Sequence, residues 1–390
     1  MPRIRPLLVT LLGLLYSAAA VATEEQPQAR SFSLPATRTS ERYPAGKRSV
    51  TGTAAAPHTS GHILVDITIG SQTLPVVFDT GSSILWVWSN FYNGSLAGDL
   101  YYNISASTTW AQLPGLTFNI SYFDGSGSSG IVGTDKVTIG GLTVTGATLG
   151  AANSGPSTPS TYKAGLIGME RGSMSGNRHF APATNISNTS TILNSQKTRP
   201  NIASSLPSPI FAAYLPMGSG AAQSSIDFGY IDSSKYTGTL STVPLMSGTA
   251  RWQFTSTSYS VNGVHHNVSI TSGKALIDTG TALLAVYPEI ASAFYAGVTG
   301  AYQDAGRWVF PCSTTTFPSL TLGVGGVQAP VVRELNWGLW STLANGTKIC
   351  EGGIQATSDT YMTFGQVFLA SNYVVFNDAA STIQIANIVF

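Results

Sequence analysis

The sequence predicts a mostly β protein with two lobes. The chain has 390 residues, which is enough for two sizeable lobes and a deep cleft. Charged residues make up 9% of the chain, far below the roughly 25% of average domains, so few are available for the solvent faces of long helices. The 41 glycines, together with many serines and threonines, suit short strands that are joined by tight turns.

The first 22 residues predict a secretory signal that is removed from the mature protein. Arg3 and Arg5 give a positive start, residues 7–16 form an apolar core, and residues 20–22 (AVA) form a small-x-small cleavage site. The alternative is a membrane anchor, but the apolar run is shorter than the roughly 20 residues that a spanning helix needs. We therefore expect a secreted, extracellular protein with no membrane association after removal of the signal.

Residues 23–48 are interpreted as a removable prosegment. They contain five basic and three acidic residues, show no hydrophobic period, and end in Lys47-Arg48, a dibasic pair of the kind that secretory processing proteases cut. The alternative is a disordered tail. From Ser49 onward the chain has 12 basic and 15 acidic residues, a net charge of −3. A cationic prosegment would thus mask an acidic cleft until it is removed.

Cysteines and glycosylation motifs agree with secretion. In an oxidising compartment the two cysteines, Cys312 and Cys350, most simply form one disulfide, and a metal site would need more Cys or His than this pair offers. Because N-x-S/T motifs also arise by chance in a Ser/Thr-rich chain, their occupancy stays open. The seven candidate glycosylation sites are Asn93, Asn103, Asn119, Asn185, Asn188, Asn267 and Asn345.

Short apolar runs between turn residues predict the secondary structure. Residues 216–225 (PMGSGAAQSS) are taken as the lobe boundary, which separates an N-terminal lobe, 49–220, from a C-terminal lobe, 221–390. The predicted elements are strands at 62–70, 73–78, 130–141 and 225–229, a long polar loop with some helix at 175–209, a short helix at 291–296, and a hairpin at 373–388.

One small-residue turn occurs twice in the chain. VFDTGSS spans residues 77–83 and LIDTGTA spans residues 276–282, each behind an apolar run and each led by an aspartate, Asp79 or Asp278. A single copy is best explained as a turn capped by aspartate. Two copies, with aspartates 199 residues apart, make coincidence a poor explanation.

The other residues of each turn suit a site with two carboxylates. Each turn has a glycine that lets the backbone approach closely and adopt unusual dihedral angles. Each also has a hydroxyl residue that can hold the carboxylate, and a threonine that can hydrogen-bond to the opposite loop. These residues are, in the same order, Gly81, Ser82 and Thr80 in the first turn, and Gly280, Thr281 and Thr279 in the second.

Two such carboxylates can hydrolyse a peptide bond. If the lobes pack about a pseudo-twofold axis, Asp79 and Asp278 meet, and two carboxylates a few ångströms apart share a proton instead of both ionising. One then acts as a general base on a water molecule while the other donates a proton to the substrate carbonyl. We therefore expect no metal and no organic cofactor.

The chain from about residue 62 to residue 390 resembles the pepsin-like aspartic proteases of the secreted fungal kind. The resemblance implies a bilobal fold of two pseudo-twofold-related, β-barrel-like lobes with a cleft between them, with Asp79 and Asp278 as the catalytic pair and Cys312–Cys350 as the disulfide of the second lobe. The segments that carry it are VFDTGSSILWVWS, ISYFDGSGSSGIVGTDKVTIGG, AGLIGM, FGYIDSSKYTGTL, ALIDTGTALL and GQVFLASNYVVFNDAASTIQIA.

The same resemblance gives roles to residues around the pair. It implies that Tyr122 belongs to a mobile flap hairpin and that its hydroxyl bonds the indole N–H of Trp86 when the flap is closed. Without the resemblance, both would be interpreted as core or strand aromatics. Leu166 would line the pocket for the residue before the cut bond. Asp124, near the flap tip, would let a lysine occupy that pocket, or it is an ordinary turn aspartate.

Three positions depart from the family pattern. Phe123 stands where a glycine usually follows the flap tyrosine, and Ala164 stands where an aspartate usually begins the AGLIGM segment. Gln366 replaces an aspartate near the pair. With one carboxylate fewer nearby, the pair should ionise more easily, and the upper pH limit of activity should move.

Other residues could suggest different sites. His265 and His266 are adjacent on a predicted strand, so their side chains point to opposite faces and favour a hairpin over a metal site. Trp337 and Trp340 could form a carbohydrate-binding surface, but core packing or the rim of the cleft is the favoured interpretation. The net charge of +1 argues against nucleic acid as a partner.

Together these features predict a secreted aspartic endopeptidase, made as a zymogen and active at acidic pH. Its partners are extended protein or peptide substrates with apolar side chains around the cut, and pepstatin-like inhibitors, and we expect a monomer. The alternative is a non-catalytic peptide- or glycan-binding protein with the same fold, which Phe123 and Gln366 keep open. A cell-wall-attached glycoprotein is a weaker third interpretation.

Overall fold

The computed structural model is mostly β, as the sequence predicts. It describes residues 31–38, 41–43, 58–94, 100–122, 125–155, 164–171, 180–182, 202, 206–217, 223–269, 273–333 and 335–390. The predicted signal at 1–22 and the dibasic pair Lys47-Arg48 lie outside the described residues. Within them, no helix is both long and apolar enough to cross a membrane.

The described secondary structure consists of 30 strands, two short α-helices and two single 3₁₀ turns. In the N-terminal half the strands are β1 (Phe32–Pro35), β2 (Thr37–Arg38), β3 (Glu41–Tyr43), β4 (His58–Ser60), β5 (Ile63–Ile69), β6 (Gln72–Asp79), β7 (Leu85–Trp88), β8 (Ala111–Ser121), β9 (Gly127–Ile139), β10 (Leu142–Ser154), β11 (Gly165–Gly168), β12 (Phe180–Pro182) and β13 (Ile210–Tyr214). In the C-terminal half they are β14 (Ser225–Phe228), β15 (Tyr236–Pro244), β16 (Gln253–Thr255), β17 (Ser258–Val261), β18 (Val264–Asn267), β19 (Lys274–Ile277), β20 (Leu284–Val286), β21 (Tyr302–Asp304), β22 (Arg307–Pro311), β23 (Leu320–Val324), β24 (Val327–Val331), β25 (Asn336–Thr342), β26 (Lys348–Gly352), β27 (Ile354–Ala356), β28 (Met362–Phe364), β29 (Asn372–Asn377) and β30 (Thr382–Ile388). The helices are α1 (Pro288–Tyr295) and α2 (Gln366–Leu369), and the 3₁₀ turns are Ile104–Ala106 and Ser233–Lys235.

A nine-stranded sheet forms the N-terminal half, in the order β12-β8-β9-β10-β7-β11-β6-β5-β2. Its strands follow the alternation of the sequence: in β5 the isoleucines are buried, whereas Asp66 between them is exposed. Strand β6 is buried along its last four residues and ends at Asp79. The sheet therefore carries the first aspartate at the end of an apolar strand.

The C-terminal half is built from smaller sheets. One has five strands in the order β16-β19-β28-β20-β27, and two have four strands, in the orders β18-β17-β23-β24 and β21-β22-β26-β25. The predicted disulfide is present between Cys312, just after β22, and Cys350 in β26. Strand β19 ends at Ile277, so the second aspartate also follows a buried strand.

Strand pairing around the two aspartates repeats. In the first half β6 lies parallel to β11, which runs antiparallel to β7, and β7 in turn lies parallel to β10. In the second half β19, β28, β20 and β27 have the same sequence of parallel, antiparallel and parallel contacts. This repeat supports the two-lobed architecture, and it places the two turns in equivalent positions.

A six-stranded sheet joins the halves, in the order β1-β14-β13-β29-β30-β15. Phe211 on β13 stacks on Phe376 of β29, with ring centroids 4.5 Å apart, and makes an edge contact with Trp252 at 5.7 Å. All three rings are buried. Residues distant in sequence thus share one core below the two turns.

The segment 23–48 contains strands, which the sequence did not predict. Strand β1 pairs along its whole length with β14, and Phe32 stacks on Phe228 at 4.9 Å. The Ser33 hydroxyl donates a 2.6 Å hydrogen bond to the buried carboxylate of Asp227. Further along, the Arg38 guanidinium lies 4.4 Å from the ring centroid of Trp337. The disordered-tail alternative therefore does not hold for residues 31–38.

Predicted boundaries differ from the structure by a few residues. The strand predicted at 130–141 begins at Gly127, and the helix predicted at 291–296 begins at Pro288, because proline is well suited to the first turn of a helix. The last hairpin is formed by β29 and β30 as predicted. Much of the predicted loop at 175–209 and part of the proposed lobe boundary lie outside the described residues, so the domain limits stay predictions.

Candidate active site

The first aspartate is held by its own turn. Asp79 is buried, with 5% of its surface exposed. One of its carboxylate oxygens accepts a 2.8 Å hydrogen bond from the backbone N–H of Gly81, and the other accepts a 2.5 Å bond from the Ser82 hydroxyl. Such charge-assisted bonds fix the orientation of the carboxylate.

The second aspartate has the same environment. Asp278 accepts a 2.8 Å bond from the N–H of Gly280 and a 2.6 Å bond from the Thr281 hydroxyl. Its own N–H donates to the carbonyl oxygen of Phe364 on β28, at 3.1 Å. The hydroxyl roles expected from the sequence are therefore matched by equivalent contacts in both turns.

Thr80 and Thr279 connect the turns to each other. Each backbone N–H donates to the hydroxyl of the other residue at 3.0 Å. The Thr80 hydroxyl then donates to the carbonyl of Ile277, and the Thr279 hydroxyl donates to that of Phe78, at 3.1 and 2.7 Å. Both threonines are at most 1% exposed, so this four-bond network lies out of reach of solvent.

The glycines are required by the close approach of the turns. A Cβ atom built on Gly81 would lie 2.6 Å from the Cγ of Asp278, and one on Gly280 would lie 2.4 Å from an oxygen of Asp79. The expectation of unusual dihedral angles is not met, since neither glycine has φ in the left-handed region. The need for glycine is steric: each turn touches the carboxylate of the other.

The two carboxyl groups interact electrostatically. The pKa of Asp79 is raised well above its ordinary value, first by burial, then by the charge of Asp278, and then by a hydrogen bond between the two side chains. The hydrogen bonds from Ser82 and Gly81 oppose this rise. A raised pKa beside a second carboxyl is the condition in which the pair holds one proton in acidic solution.

The aromatic pair expected at the flap is in contact. The indole N–H of Trp86 donates a 2.8 Å hydrogen bond to the hydroxyl of Tyr122, which corresponds to the closed arrangement. Leu166, on β11, is buried in an apolar cluster that contains Trp86, with Tyr122 packed against it. Phe123 and Asp124 lie outside the described residues, so their expected roles stay predictions.

Two of the departures from the family pattern are buried. Gln366 lies beside the second turn: its Nε2 donates to the carbonyls of Thr279 at 3.1 Å and Gly61 at 2.9 Å. Ala164 is fully buried, and its carbonyl accepts from the N–H of Trp88 at 2.9 Å. The proposed effect of Gln366 on the pH limits of activity stays a hypothesis.

Sequence reasoning missed a charged pair next to the first turn. Glu170 follows directly after the AGLIGM segment, and its N–H donates to the carbonyl of Ser82 at 2.9 Å. Arg251 approaches it from the second half of the chain, with 3.4 Å between Nε and Oε1. The position of Glu170 beside a quoted motif was a usable signal, but nothing in the sequence linked it to Arg251.

The remaining candidates take structural positions. His266 stacks on Tyr259 in the hairpin of β17 and β18, as favoured for the histidine pair. Trp337 and Trp340 are both buried, at 7% and 5% exposure, which agrees with core packing. In the described part of the chain, no group of three or more His, Cys, Asp or Glu side chains could hold a metal ion.

The glycosylation candidates differ in exposure. Asn103 is half-buried, and its side-chain oxygen accepts from the N–H of Ser105 at 3.2 Å. Two candidates, Asn185 and Asn188, lie outside the described residues. The exposed candidates are Asn93, Asn119, Asn267 and Asn345.

Comparison with known proteins agrees with this geometry. The sequence model of the eukaryotic aspartyl protease family matches residues 63–388, a span that includes both turns. The chain belongs to the eukaryotic aspartyl protease family. This match confirms the resemblance to pepsin-like aspartic proteases that was inferred from the sequence motifs.

Several curated fungal members of the eukaryotic aspartyl protease family are similar to this chain. Endothiapepsin of Cryphonectria parasitica is 38% identical over 326 residues, which cover 81% of this chain and 72% of that protein. Aspergillopepsin-1 of Aspergillus pseudoglaucus is 34% identical over 393 residues, covering 93% and 94%. Penicillopepsin-1 of Penicillium janthinellum is 36% identical over 321 residues, covering 80% and 91%.

Proposed function

We propose that this protein is an aspartic endopeptidase that hydrolyses peptide bonds in acidic solution. The observation that carries the proposal is the pair Asp79 and Asp278, held in equivalent turns whose glycines are each in van der Waals reach of the other carboxylate. Family membership and relatives named as aspartic proteases point to the same chemistry.

The reaction begins with a water molecule held between the two carboxyl groups. The ionised carboxyl takes a proton from the water, and the water oxygen forms a bond to the peptide carbonyl carbon. At the same time the protonated carboxyl gives its proton to the carbonyl oxygen. The tetrahedral diol then collapses. The C–N bond breaks, the leaving amine takes a proton from the pair, and the diol returns one, which restores the original protonation state. The pair titrates as a unit, so the shared proton is assigned to neither aspartate.

The surrounding residues support binding of an extended peptide. A hydrogen bond joins Trp86 to Tyr122, and Leu166 lies buried in the apolar cluster that contains Trp86 and against which Tyr122 packs. We propose that Tyr122 belongs to a flap that closes over the pair. We propose that this cluster favours apolar side chains next to the cut bond. Asp124 is proposed to admit a lysine there. Statine-type inhibitors such as pepstatin should bind because their hydroxyl mimics the tetrahedral intermediate.

Secretion and maturation are proposed from the sequence. The amino-terminal signal, the dibasic pair Lys47-Arg48 and the N-x-S/T motifs support a secreted, glycosylated zymogen that acts outside the cell as a monomer. The single disulfide between Cys312 and Cys350 is consistent with an oxidising compartment. Protein or peptide substrates are the partners that the family implies, and nucleic acid is not proposed as one.

One experiment tests the proposed function directly. The secreted, processed protein would be incubated with denatured globin at about pH 4, near the ordinary pKa of carboxyl groups, with and without pepstatin. An Asp79→Asn variant would be assayed beside it, with circular dichroism to show that it folds. We expect cleavage that pepstatin blocks and that Asp79→Asn lowers at least about 1,000-fold. Intact globin across the acid range, from a folded and processed protein, would reject the enzyme and favour the non-catalytic alternative.

A further inference from the structure

A charged pair lies directly beside the catalytic turns. Met169 and Glu170 leave β11 alongside the first turn, where the N–H of Met169 donates to the carbonyl of Asp79 at 2.7 Å and the N–H of Glu170 donates to that of Ser82 at 2.9 Å. The backbone of Glu170 is therefore fixed to the loop that carries the first catalytic carboxylate. Its side chain has no place in the hydrolytic steps described above.

Arg251 is fixed against Glu170 from the other half of the chain. The neighbouring residue, Trp252, is buried and its indole N–H donates to the carbonyl of Met169 at 2.8 Å. This bond fixes the backbone of Arg251 next to Glu170, and the two side chains form an ion pair of 3.4 Å. The guanidinium also lies 5.3 Å from the ring centroid of Tyr361, just before β28.

The pair is electrostatically connected to the catalytic site and partly open to solvent. The charge of Asp278 acts on both Glu170 and Arg251. The Arg251 side chain is 43% exposed, whereas that of Glu170 is only 15% exposed. Arg171, which directly follows Glu170, has a side chain that is 14% exposed and forms an ion pair with Asp378 at 2.8 Å. Of these two described arginines, Arg251 is therefore the one whose guanidinium is more open to a bound peptide.

Glu170 neutralises Arg251 only weakly in acidic solution. Burial raises the pKa of Glu170 to about 7, with Asp278 adding to the rise and Arg251 opposing it. Below about pH 7 the Glu170 carboxyl is mostly uncharged. It can still accept a hydrogen bond and hold the guanidinium in place. The positive charge of Arg251 is then left without an ionised Glu170 in the pH range where an aspartic protease works.

We propose that Arg251 is a specificity-determining residue that binds the carboxylate of an acidic side chain in the peptide substrate, with Glu170 and Tyr361 positioning its guanidinium. The inference rests on the proposed function, because it concerns the substrate of the same site. A guanidinium has five N–H donors in a planar fork that matches a carboxylate. Contact with Glu170 and Tyr361 occupies only part of this fork, and the exposed remainder can donate to a ligand.

Paired synthetic peptides test the proposal. Each pair carries Glu or Gln at one position, moved in turn through the residues on both sides of the cut bond, with an amidated carboxyl terminus. Cleavage is measured at about pH 5, where an ordinary glutamate is mostly ionised. The proteins compared are the wild type, Arg251→Gln, Arg251→Lys and Arg307→Gln. Arg307 is the matched control, since it is a 45% exposed arginine paired with Glu351 in another sheet.

We expect the wild type to cleave the Glu peptide with a kcat/KM about fivefold above that of the Gln peptide at one position. The ratio of kcat/KM for the Glu peptide to that for the Gln peptide should fall to near one in Arg251→Gln. It should stay partly raised in Arg251→Lys and keep its wild-type value in Arg307→Gln. The Gln peptides report whether each variant folds and hydrolyses normally.

Other outcomes would overturn the proposal in distinguishable ways. If neutral peptides are cleaved but Arg251→Gln and the wild type have the same Glu/Gln ratio at every position, only the role of Arg251 is wrong. The same holds if an Arg251-dependent preference appears solely in a second peptide set with a free carboxyl terminus, because recognition would then be of the chain end. Failure of the wild type to cleave any peptide would reject the proposed function and this inference together.

Discussion

Thr80 and Thr279 exchange backbone-to-hydroxyl hydrogen bonds of 3.0 Å in both directions, across 199 residues of sequence. Each hydroxyl passes a hydrogen bond on to a carbonyl of the other half, at Ile277 or Phe78. Because the bonds are buried and reciprocal, the separation of the two aspartate turns is set by backbone groups and the two threonine hydroxyls. The carboxylates themselves do not have to hold the halves together.

Replacing either threonine with valine should therefore destabilise the protein. Thr80→Val or Thr279→Val keeps the shape of the side chain but leaves a buried N–H and a buried carbonyl without their partner, which we expect to cost about 2 kcal/mol of unfolding free energy each. Denaturant unfolding measures the change. Thr68→Val is the matched control, since its hydroxyl bonds that of Thr73 at an exposed position. Equal losses at positions 68 and 80 would contradict the structural role of the network.

Removing the Ser82 hydroxyl should change the pH dependence of activity. The bond from Ser82 lowers the pKa of Asp79, so Ser82→Ala should raise that pKa further. Activity needs the shared proton and is lost as pH rises through this pKa, so the falling limb of the kcat/KM profile should move to higher pH. Ser71→Ala, in an exposed turn, should keep the wild-type profile. A falling limb that stays in place or moves to lower pH in Ser82→Ala would show that the hydroxyl does not stabilise the ionised pair.

Glu170 should make stability depend on pH. Its pKa is raised from 4.5 to about 7, mainly by burial. For a carboxyl with a raised folded-state pKa, stability is full below the unfolded-state value and is lost as pH rises through the folded-state value. Glu170→Gln removes this loss, so the variant should be more stable than the wild type by up to about 3 kcal/mol near pH 8 and by little near pH 4.

Thermal unfolding of both proteins across this pH range measures the effect of Glu170. Asp66→Asn, which changes an exposed carboxyl on β5, should alter stability by less than about 0.5 kcal/mol at either pH. A Glu170→Gln variant that is no more stable than the wild type at high pH would mean that the carboxyl is well solvated or well paired when ionised.

A carboxyl at position 366 should be tolerated only in acid. The Nε2 of Gln366 donates to two carbonyls, those of Gly61 and Thr279, inside the protein. In Gln366→Glu a protonated carboxyl can replace one of these bonds, but an ionised carboxylate would face two oxygens. The loss of stability should begin as pH rises above the ordinary carboxyl pKa of the unfolded chain. It should be complete once pH has passed the raised folded-state pKa, and should reach about 3 kcal/mol near pH 8.

Gln366→Met is the control for the Gln366→Glu variant, because it removes the same bonds without adding a titrating group, and its cost should not vary with pH. Urea unfolding at several pH values separates the two variants. The separate hypothesis that a missing carboxylate here eases ionisation of the catalytic pair is tested by Gln366→Asp, whose pH–rate profile should shift in at least one limb.

The two aspartate turns were predictable because each is a local pattern and the pattern is repeated. A seven-residue pattern contains the aspartate, its hydroxyl partner and the glycine that the other carboxylate requires, and its recurrence implied that Asp79 and Asp278 meet. Tyr122 and Trp86 were reached through resemblance to a family. The bond between Glu170 and Arg251 was beyond such reasoning, because it joins residues 81 positions apart that belong to no shared motif.

Strand β1 was missed for a different physical reason. Within residues 23–48 the alternation of polar and apolar side chains is confined to the four residues 31–34 (SFSL), which is too short to predict a strand. Phe32–Pro35 forms one because β14 offers an unpaired edge and Phe228 offers an aromatic surface. Such a strand is dictated by its partner. A contact with a distant partner also explains the two glycines. Gly81 and Gly280 were expected to need unusual dihedral angles, but the actual constraint on each is the aspartate carboxylate of the opposite half.

The pairing of β1 with β14 also bears on the proposed cut after Arg48. While the chain is intact, β1 is tethered, and its local concentration at the sheet edge is in the millimolar range that short linkers give. After the cut, the same strand is a separate peptide whose occupancy depends on its free concentration. Its stacking on Phe228 and its bond to Asp227 would be unchanged. Dilution outside the cell would thus make dissociation of the β1 peptide effectively irreversible, although the contacts that β14 offers would be the same as before the cut.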